Sequence, residues 1–313
     1  MRILKKIKPV VWILLFTILF FSLINPRFFS ISNFQNILQQ ASSLMVLAFA
    51  ETLIILMQGT DLSLGAQVSL STIVFVTLAA KGIPLPLCIV AVIFCTVLIG
   101  IANGAVISYL KVPTFISTLG MQNIVKSLAL LICGSRSIYY SSEIIQKIAW
   151  GRFLYLPITT WVAAFTFLLA WLVLNRTRLG SEIYAIGGNV EALKVAGVNQ
   201  KIARMKAWAF SGVLAGIAGF LVVCRVESGQ PAVGDGMEFN AIAAVLLGGT
   251  SMREGKGGLF GTIFGVLLIY CLKNGLNLSG LPSIYHNAIL GSVVLIAIVV
   301  DALINRAASQ EKA

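Results

Sequence analysis

The stretch GGTSMREGKGG, Gly248–Gly258, has the composition of a loop that cradles phosphate: glycines, a Gly-Lys pair and small hydroxyl residues. Read that way, the chain would be a nucleotide hydrolase. Read as a turn between apolar segments, it belongs to a helical bundle in a membrane. Spacing decides first. A P-loop places four residues between its first Gly and the Gly-Lys pair, then Ser or Thr directly after the Lys to reach magnesium. Here five residues separate Gly249 from Gly255, and Gly257 follows Lys256. The phosphate reading fails on both counts.

What flanks the stretch settles its nature. Of the 313 residues, 58% are hydrophobic and 11% charged, and the mean hydropathy is +0.95. A soluble domain carries about 25% charged residues, so lipid must be the solvent for much of this chain. The formal charge of +12 does not indicate nucleic acid, because the basic residues lie between apolar blocks and form no continuous face. Cys88, Cys95, Cys133, Cys224 and Cys271 lie in or beside apolar runs without paired metal spacing and read as packing residues. His286 is the single histidine, so no metal set and no Ser-His-Asp arrangement is legible. An enzyme reading has little to stand on.

A spanning helix needs about 20 apolar residues. Ten candidates follow: 9–25, 39–58, 62–80, 84–110, 114–133, 155–174, 207–225, 239–250, 258–278 and 285–305. The eighth is too short to span alone and reads either as a half-helix or as a span that continues beyond these limits. The first follows MRILKKIK and lacks a small-x-small cleavage site, so it reads as an uncleaved span. Ten spans put both termini on one side. With the amino terminus in the cytoplasm, about 15 Lys and Arg fall inside and about 7 outside, in keeping with the positive-inside bias. The expectation is therefore an all-α, polytopic integral membrane protein, a single transmembrane domain over 1–313 with both ends cytoplasmic. Gly248–Gly258 becomes a short cytoplasmic turn held by Arg253 and Lys256, whose glycines allow tight turns and close helix approach. A weak echo joins GTDLSLGAQVSLSTI from Gly59 to GTSMREGKGGLFGTI from Gly249, a possible internal repeat.

The longest polar segment between spans covers about 175–206. Within it GGNVEALKVAG reads as a short complete helix. Asn189 is placed to cap it, Glu191 lies in the first turn where the helix dipole favours negative charge, and Gly197 suits the left-handed residue past its end. Val190, Leu193 and Val195 supply an apolar side. Two turns of helix are unstable alone, so this one either caps its own bundle or docks on a cytoplasmic partner.

Glu191-Ala192-Leu193, three residues, then Gly197 resembles the Glu-Ala-Ala, three residues, Gly element of bacterial ABC importer permeases, although Ala207 and Trp208 stand where hydrophobic positions often follow. More specific are LVLNRTRLGSEIYAIGGNVEALKVAGV, MQGTDLSLGAQVSLS, KVPTFISTLGMQNIVKSLALL, GMEFNAIAAVLLGGTS and GLFGTIFGVLLIYCLKNGLNLSG. Their order and spacing resemble those of ribose-type sugar permeases over about residues 20 to 303. The resemblance implies a bacterial inner-membrane subunit of an ATP-driven importer for a monosaccharide. It implies a second permease subunit, the same chain or a paralogue, a separate ATPase holding ATP and magnesium, and an extracytoplasmic sugar-binding protein. It further implies that Gly188, Asn189, Glu191, Ala192, Leu193 and Gly197 meet the ATPase. Arg253, Glu254, Asn240 and Glu51 depart from the family's usual residues. An ion-gradient-driven carrier, or a permease for a non-sugar solute, is the rival reading.

For the path, sugars are neutral and hydroxyl-rich, so a conduit needs several weak polar contacts. Gln58, Thr60, Ser63, Gln67, Asn103, Thr114, Ser117, Gln122 and Asn240 are candidates to line it, or to bond helix to helix. Asp61 reads as a polar residue at a helix break or as the N-cap of the third span. Glu51 sits mid-span, where a charge costs about 2.5–3.5 kcal/mol on insertion scales, and should face the bundle interior, a wet cavity or a partner such as Lys126. On the outer side Arg136, Glu227, Asp235 and Glu238 are candidates to meet the binding protein.

Overall fold

The computed structural model describes residues 9–252, 254–286, 288–293 and 295. Arg253, both termini and the end of the expected tenth span, 285–305, lie wholly or partly outside them. Among the described residues the chain is built of twelve α-helices in this order: α1 (Pro9–Ile24), α2 (Ile31–Leu56), α3 (Leu64–Ala80), α4 (Leu85–Tyr109), α5 (Thr114–Cys133), α6 (Glu143–Trp150), α7 (Ile158–Arg176), α8 (Arg178–Gly188), α9 (Val190–Val195), α10 (Gln200–Val226), α11 (Met237–Leu247) and α12 (Leu259–Leu278). Six of them, α2, α4, α5, α7, α10 and α12, are long and apolar enough to cross a membrane. The apolar helices α1, α3 and α11 are shorter. Among the described residues, strand structure is confined to two short antiparallel pairs, Ile138–Tyr139 with Ser228–Gly229 and Arg152–Phe153 with Leu156–Pro157. The chain is an all-α polytopic membrane protein.

α2 is the central post. From Ala41 to Leu56 nearly every side chain is buried, so this part of the helix has no lipid face. It starts at Ile31, earlier than the expected 39, because Ser30 accepts a hydrogen bond from the Asn33 N–H (3.2 Å) and caps the helix. Its polar first turns are anchored sideways: Asn33 and Asn274 of α12 exchange two amide hydrogen bonds, each 2.9 Å. α10 likewise starts at Gln200 and not at 207, with Asn199 Oδ1 accepting from the N–H of Lys201 (3.0 Å) and Ile202 (3.4 Å).

Small residues let α4 and α10 approach closely. A Cβ on Gly100 would stand 2.3 Å from the Trp208 carbonyl oxygen, and one on Gly212 would stand 2.4 Å from that of Thr96. Gly104 and Gly216 repeat the pattern one turn on, so a Gly-x-x-x-Gly pair on each helix forms the contact. The outer helices bury one stripe only. On α1, Val10, Leu14, Thr17 and Phe21 face inward while Trp12, Phe16, Leu19 and Leu23 face out. In lipid that outward face is at home, because acyl chains are as apolar as the side chains they meet.

Both short central helices begin inside the bundle. After α2 the chain reverses at Gln58, whose φ is +60°, and Gly59 N–H returns to the Ile54 carbonyl (3.0 Å). Gly249 (φ +76°) closes α11 in the same way, with Thr250 N–H on the Val245 carbonyl (3.2 Å). The sequence echo therefore joins two helix stops, but out of register: Gln58, not Gly59, is the structural counterpart of Gly249.

The opening stretch is a tight turn between α11 and α12. Ser251 pairs with Lys256, and Lys256 Nζ meets Glu254 (2.9 Å). Gly255, at φ +60°, packs its backbone on Gly187 of α8: a Cβ there would stand 2.7 Å from the Gly187 backbone.

Candidate translocation centre and coupling surface

The reversal after α2 brings Asp61 back beside Glu51. Glu51 is fully buried, and its carboxylate oxygens accept from the Asp61 N–H at 3.2 and 3.3 Å. It faces the bundle interior, but not Lys126, which instead pairs with Asp235 (2.6 Å). Asp61 is not the N-cap of α3. Ser63 holds that position, and Asp61 Oδ1 accepts from both its N–H (2.9 Å) and its Oγ (2.6 Å), a turn of the kind short carboxylates favour. Ser63 Oγ in turn accepts from Gln67 Nε2 and from Asn103 Nδ2 of α4, each at 3.0 Å. Glu51, Asp61, Ser63, Gln67 and Asn103 thus form one buried polar chain.

α11 enters from the opposite direction. Gly234 donates its N–H to Ser69 Oγ (3.0 Å) and lies backbone to backbone on Gly65; a Cβ on Gly234 would stand 2.0 Å from the Gly65 carbonyl oxygen. Two residues later Gly236, at φ +81°, starts α11. Glu238 follows in its first turn, where the helix dipole favours a carboxylate. Its Oε1 accepts from Gln122 Nε2 of α5 (3.1 Å) and from the Gly236 N–H (3.3 Å). The amino-terminal ends of α3 and α11 therefore abut within the bundle. Broken helices meeting in this way are how transporters place backbone and side-chain polarity at a site. Three buried acceptors there carry no protein partner: Gln67 Oε1, Asn103 Oδ1 and Glu238 Oε2. Spare acceptors without a cationic clamp suit hydroxyl donors.

Thr60, Asn240, Gln58 and Thr114 do not join this centre. The Thr60 carbonyl accepts from Thr118 Oγ1 (3.4 Å). Asn240 turns back on its own helix, Nδ2 to the Gly236 carbonyl (2.9 Å). Gln58 and Thr114 line a separate cavity at the end of the bundle near α8. Of the four outer-side candidates, Glu238 is 2% exposed and cannot present itself to a partner, a correction to the expectation drawn from its charge. Asp235 is half-exposed and engaged by Lys126. Glu227 accepts from Ser141 Oγ, which holds its carboxyl below the usual range. Arg136 is exposed.

At the other end, α8 is tied to the bundle and α9 hangs from it. Ile183, Ile186 and Gly187 are buried. Gln58 Nε2 donates to the Gly187 carbonyl (2.7 Å), and a Cβ on Gly187 would stand 1.8 Å from the Leu56 carbonyl oxygen. Asn189 separates α8 from α9 with a non-helical backbone (φ −154°, ψ 86°). Leu193 is the anchor of α9 and is buried in the main core. Gly197 takes the left-handed conformation (φ +69°), and the adjacent Val198 N–H returns to the Leu193 carbonyl (3.1 Å). The apolar side is narrower than expected: Val195 is 90% exposed. Gly188, Glu191 and Gly197 are exposed as well, and Ala192 lies in α9 between Glu191 and the anchor. The result is a small knob with one apolar foot inside and a mixed surface outside.

A polytopic helical bundle, two broken helices meeting at a buried polar centre and a projecting knob at one end together fit a membrane transport subunit. The family described as branched-chain amino acid transport system / permease component matches residues 33–298. The chain belongs to that permease family, and it is a transport subunit and not an enzyme. It is 36% identical over 292 residues to the ribose import permease protein RbsC of Escherichia coli K12, covering 92% of this chain and 91% of that one. The RbsC of Bacillus subtilis is 33% identical over 301 residues, 96% of this chain and 93% of that one. The galactose/methyl galactoside import permease protein MglC of Haemophilus influenzae is 33% identical over 305 residues, 89% of each chain. No solved structure matches the chain. Family and helices together place it in the bacterial inner membrane as a multi-pass protein.

Proposed function

We propose that this chain is the membrane subunit of an ATP-driven ABC importer that passes a monosaccharide, ribose or a similar pentose or hexose, through the inner membrane. Near full-length similarity to permeases named for ribose and for galactose carries the reading. The centre between α3 and α11 supports it: a neutral, hydroxyl-bearing solute finds acceptors in Gln67, Asn103 and Glu238, none of them in an ion pair among the described residues. The end bearing α8 and α9 is cytoplasmic in this account, ten spans put both termini there, and the knob at Gly188–Gly197 docks on a separate ATPase that holds ATP and magnesium. A second permease subunit, identical or paralogous, completes the conduit. A binding protein delivers the sugar to the opposite end, where Arg136 and Glu227 are surface residues. The test is uptake of radiolabelled ribose and galactose into proteoliposomes carrying the chain with its co-purifying ATPase and binding protein. ATP-dependent accumulation of one of them is expected. Accumulation driven by a proton gradient and indifferent to ATP would overturn the proposal.

A further inference from the structure

A second polar feature lies away from the α3–α11 centre. Where α4 ends, α5 begins and α10 begins, a cavity of about 530 Å³ opens, lined by Ser108, Lys111, Thr114, Lys201 and Arg204 among others. Three cations line it and no carboxylate does. None of the three takes part in an ion pair among the described residues, where the pairs belong to Lys126, Lys147 and Lys256. Lys201 instead lies over the Tyr109 ring, 4.7 Å from its centroid. Two polar atoms of lining residues have no protein partner and lie sealed behind this wall: Ser108 Oγ, on a residue 9% exposed, and Arg204 Nε. α5 opens at the same wall behind Pro113 without a side-chain cap, so its first N–H groups add the positive end of a helix dipole. Like charges gathered in a half-enclosed space repel one another unless an anion enters.

We propose that this cavity binds a phosphate group. Arg204, Lys111 and Lys201 supply the charge, and the first turn of α5 supplies directed hydrogen bonds. Two sources carry this chemistry: the headgroup of an anionic phospholipid and free inorganic phosphate. The surroundings favour the lipid. The cavity sits at helix ends, and Leu110, Phe115, Ile116 and Ile202 around it are exposed and apolar, a collar suited to acyl chains. Basic pockets between helices at the cytoplasmic surface hold anionic headgroups in this manner.

The test uses the full-length chain in detergent, titrated with phosphatidylglycerol, phosphatidylcholine or inorganic phosphate and followed by native mass spectrometry. The variants are Arg204→Gln and Lys111→Gln, with Lys206→Gln as a control, an exposed cation on α10 outside the cavity lining. Elution as a single species confirms that each variant folds, and Lys111, exposed in the α4–α5 turn, keeps the test valid if Arg204→Gln does not. Phosphatidylglycerol should bind in preference to phosphatidylcholine, and each cavity substitution should weaken it about fivefold while Lys206→Gln does not. Adducts of inorganic phosphate, lost in the same variants, would support the site with a soluble occupant. Equal retention of the two lipids, or cavity variants that match Lys206→Gln, would overturn the proposal.

Discussion

The contact between Gly65 and Gly234 makes the most exacting prediction, because one methyl group tests it. Gly234 has no left-handed φ, so alanine is acceptable to its own backbone and any effect is steric. The added Cβ would stand 2.0 Å from the Gly65 carbonyl oxygen, 2.9 Å from its carbonyl carbon and 3.0 Å from Ser69 Oγ. A carbon approaches a carbonyl oxygen no closer than about 3.3 Å, so the two helix ends must part by about 1.3 Å. Overpacking costs about 1–3 kcal/mol. The upper end applies, since the obstacle is backbone and cannot rotate away. Parting also strains the Gly234 N–H bond to Ser69 Oγ, worth about 1 kcal/mol more. Gly234→Ala should therefore lose about 3–4 kcal/mol and melt about 6–10 °C lower in detergent. Because the polar centre is built on the same contact, sugar uptake should fall with it. Gly120→Ala is the control: nothing lies within 4 Å of its Cβ position, and in the interior of α5 alanine is the better helix former. If Gly234→Ala melts and transports like Gly120→Ala, the abutting helix ends are not a feature of the working protein.

Glu51→Gln keeps an acceptor for the Asp61 N–H and should be nearly neutral in stability, whereas Glu51→Leu orphans that donor and should cost about 1–3 kcal/mol by thermal melting. The reciprocal amides of Asn33 and Asn274 should show a coupling of about 0.6–1.7 kcal/mol in a double-mutant cycle; additive losses would mean that the pair does not form. Lys126→Gln breaks a half-exposed pair with Asp235 and should change stability by less than about 1 kcal/mol, with a melting shift near the detection limit.

Much of the architecture was legible because lipid imposes a blunt rule: apolar runs of sufficient length become helices. Boundaries were less so. Hydropathy stops at the polar turns holding Asn33 and Lys201, yet the caps that start those helices, Ser30 and Asn199, stand in the sequence and mark the true beginnings. The half-helix character of α11 followed from its length. Its meeting with α3 did not, because Gly65 and Gly234 are far apart in sequence and nothing local pairs them. The paired Gly-x-x-x-Gly motifs at Gly100–Gly104 and Gly212–Gly216 are legible in the sequence as a site of close helix approach. Glu238 misled because a carboxylate after a loop reads as surface, while its burial depends on Gln122 from a distant helix. Glu51 was readable as inward-facing from cost alone, but its partner is a backbone N–H that no residue pattern announces.

The account rests on a motor outside this chain acting through the knob at α9. Glu191 and Val195 are exposed there, and neither is needed to hold the helix, which hangs on Leu193. The decisive measurement is sugar uptake by the reconstituted complex carrying Glu191→Lys or Val195→Asp, with ATP hydrolysis and thermal stability recorded on the same samples. The account predicts unchanged melting and uptake per ATP reduced at least about tenfold, the loss expected when a docking contact worth about 1.4 kcal/mol is removed. Uptake equal to that of the unmodified chain in both variants, or sugar accumulated by the chain without its ATPase, would contradict it.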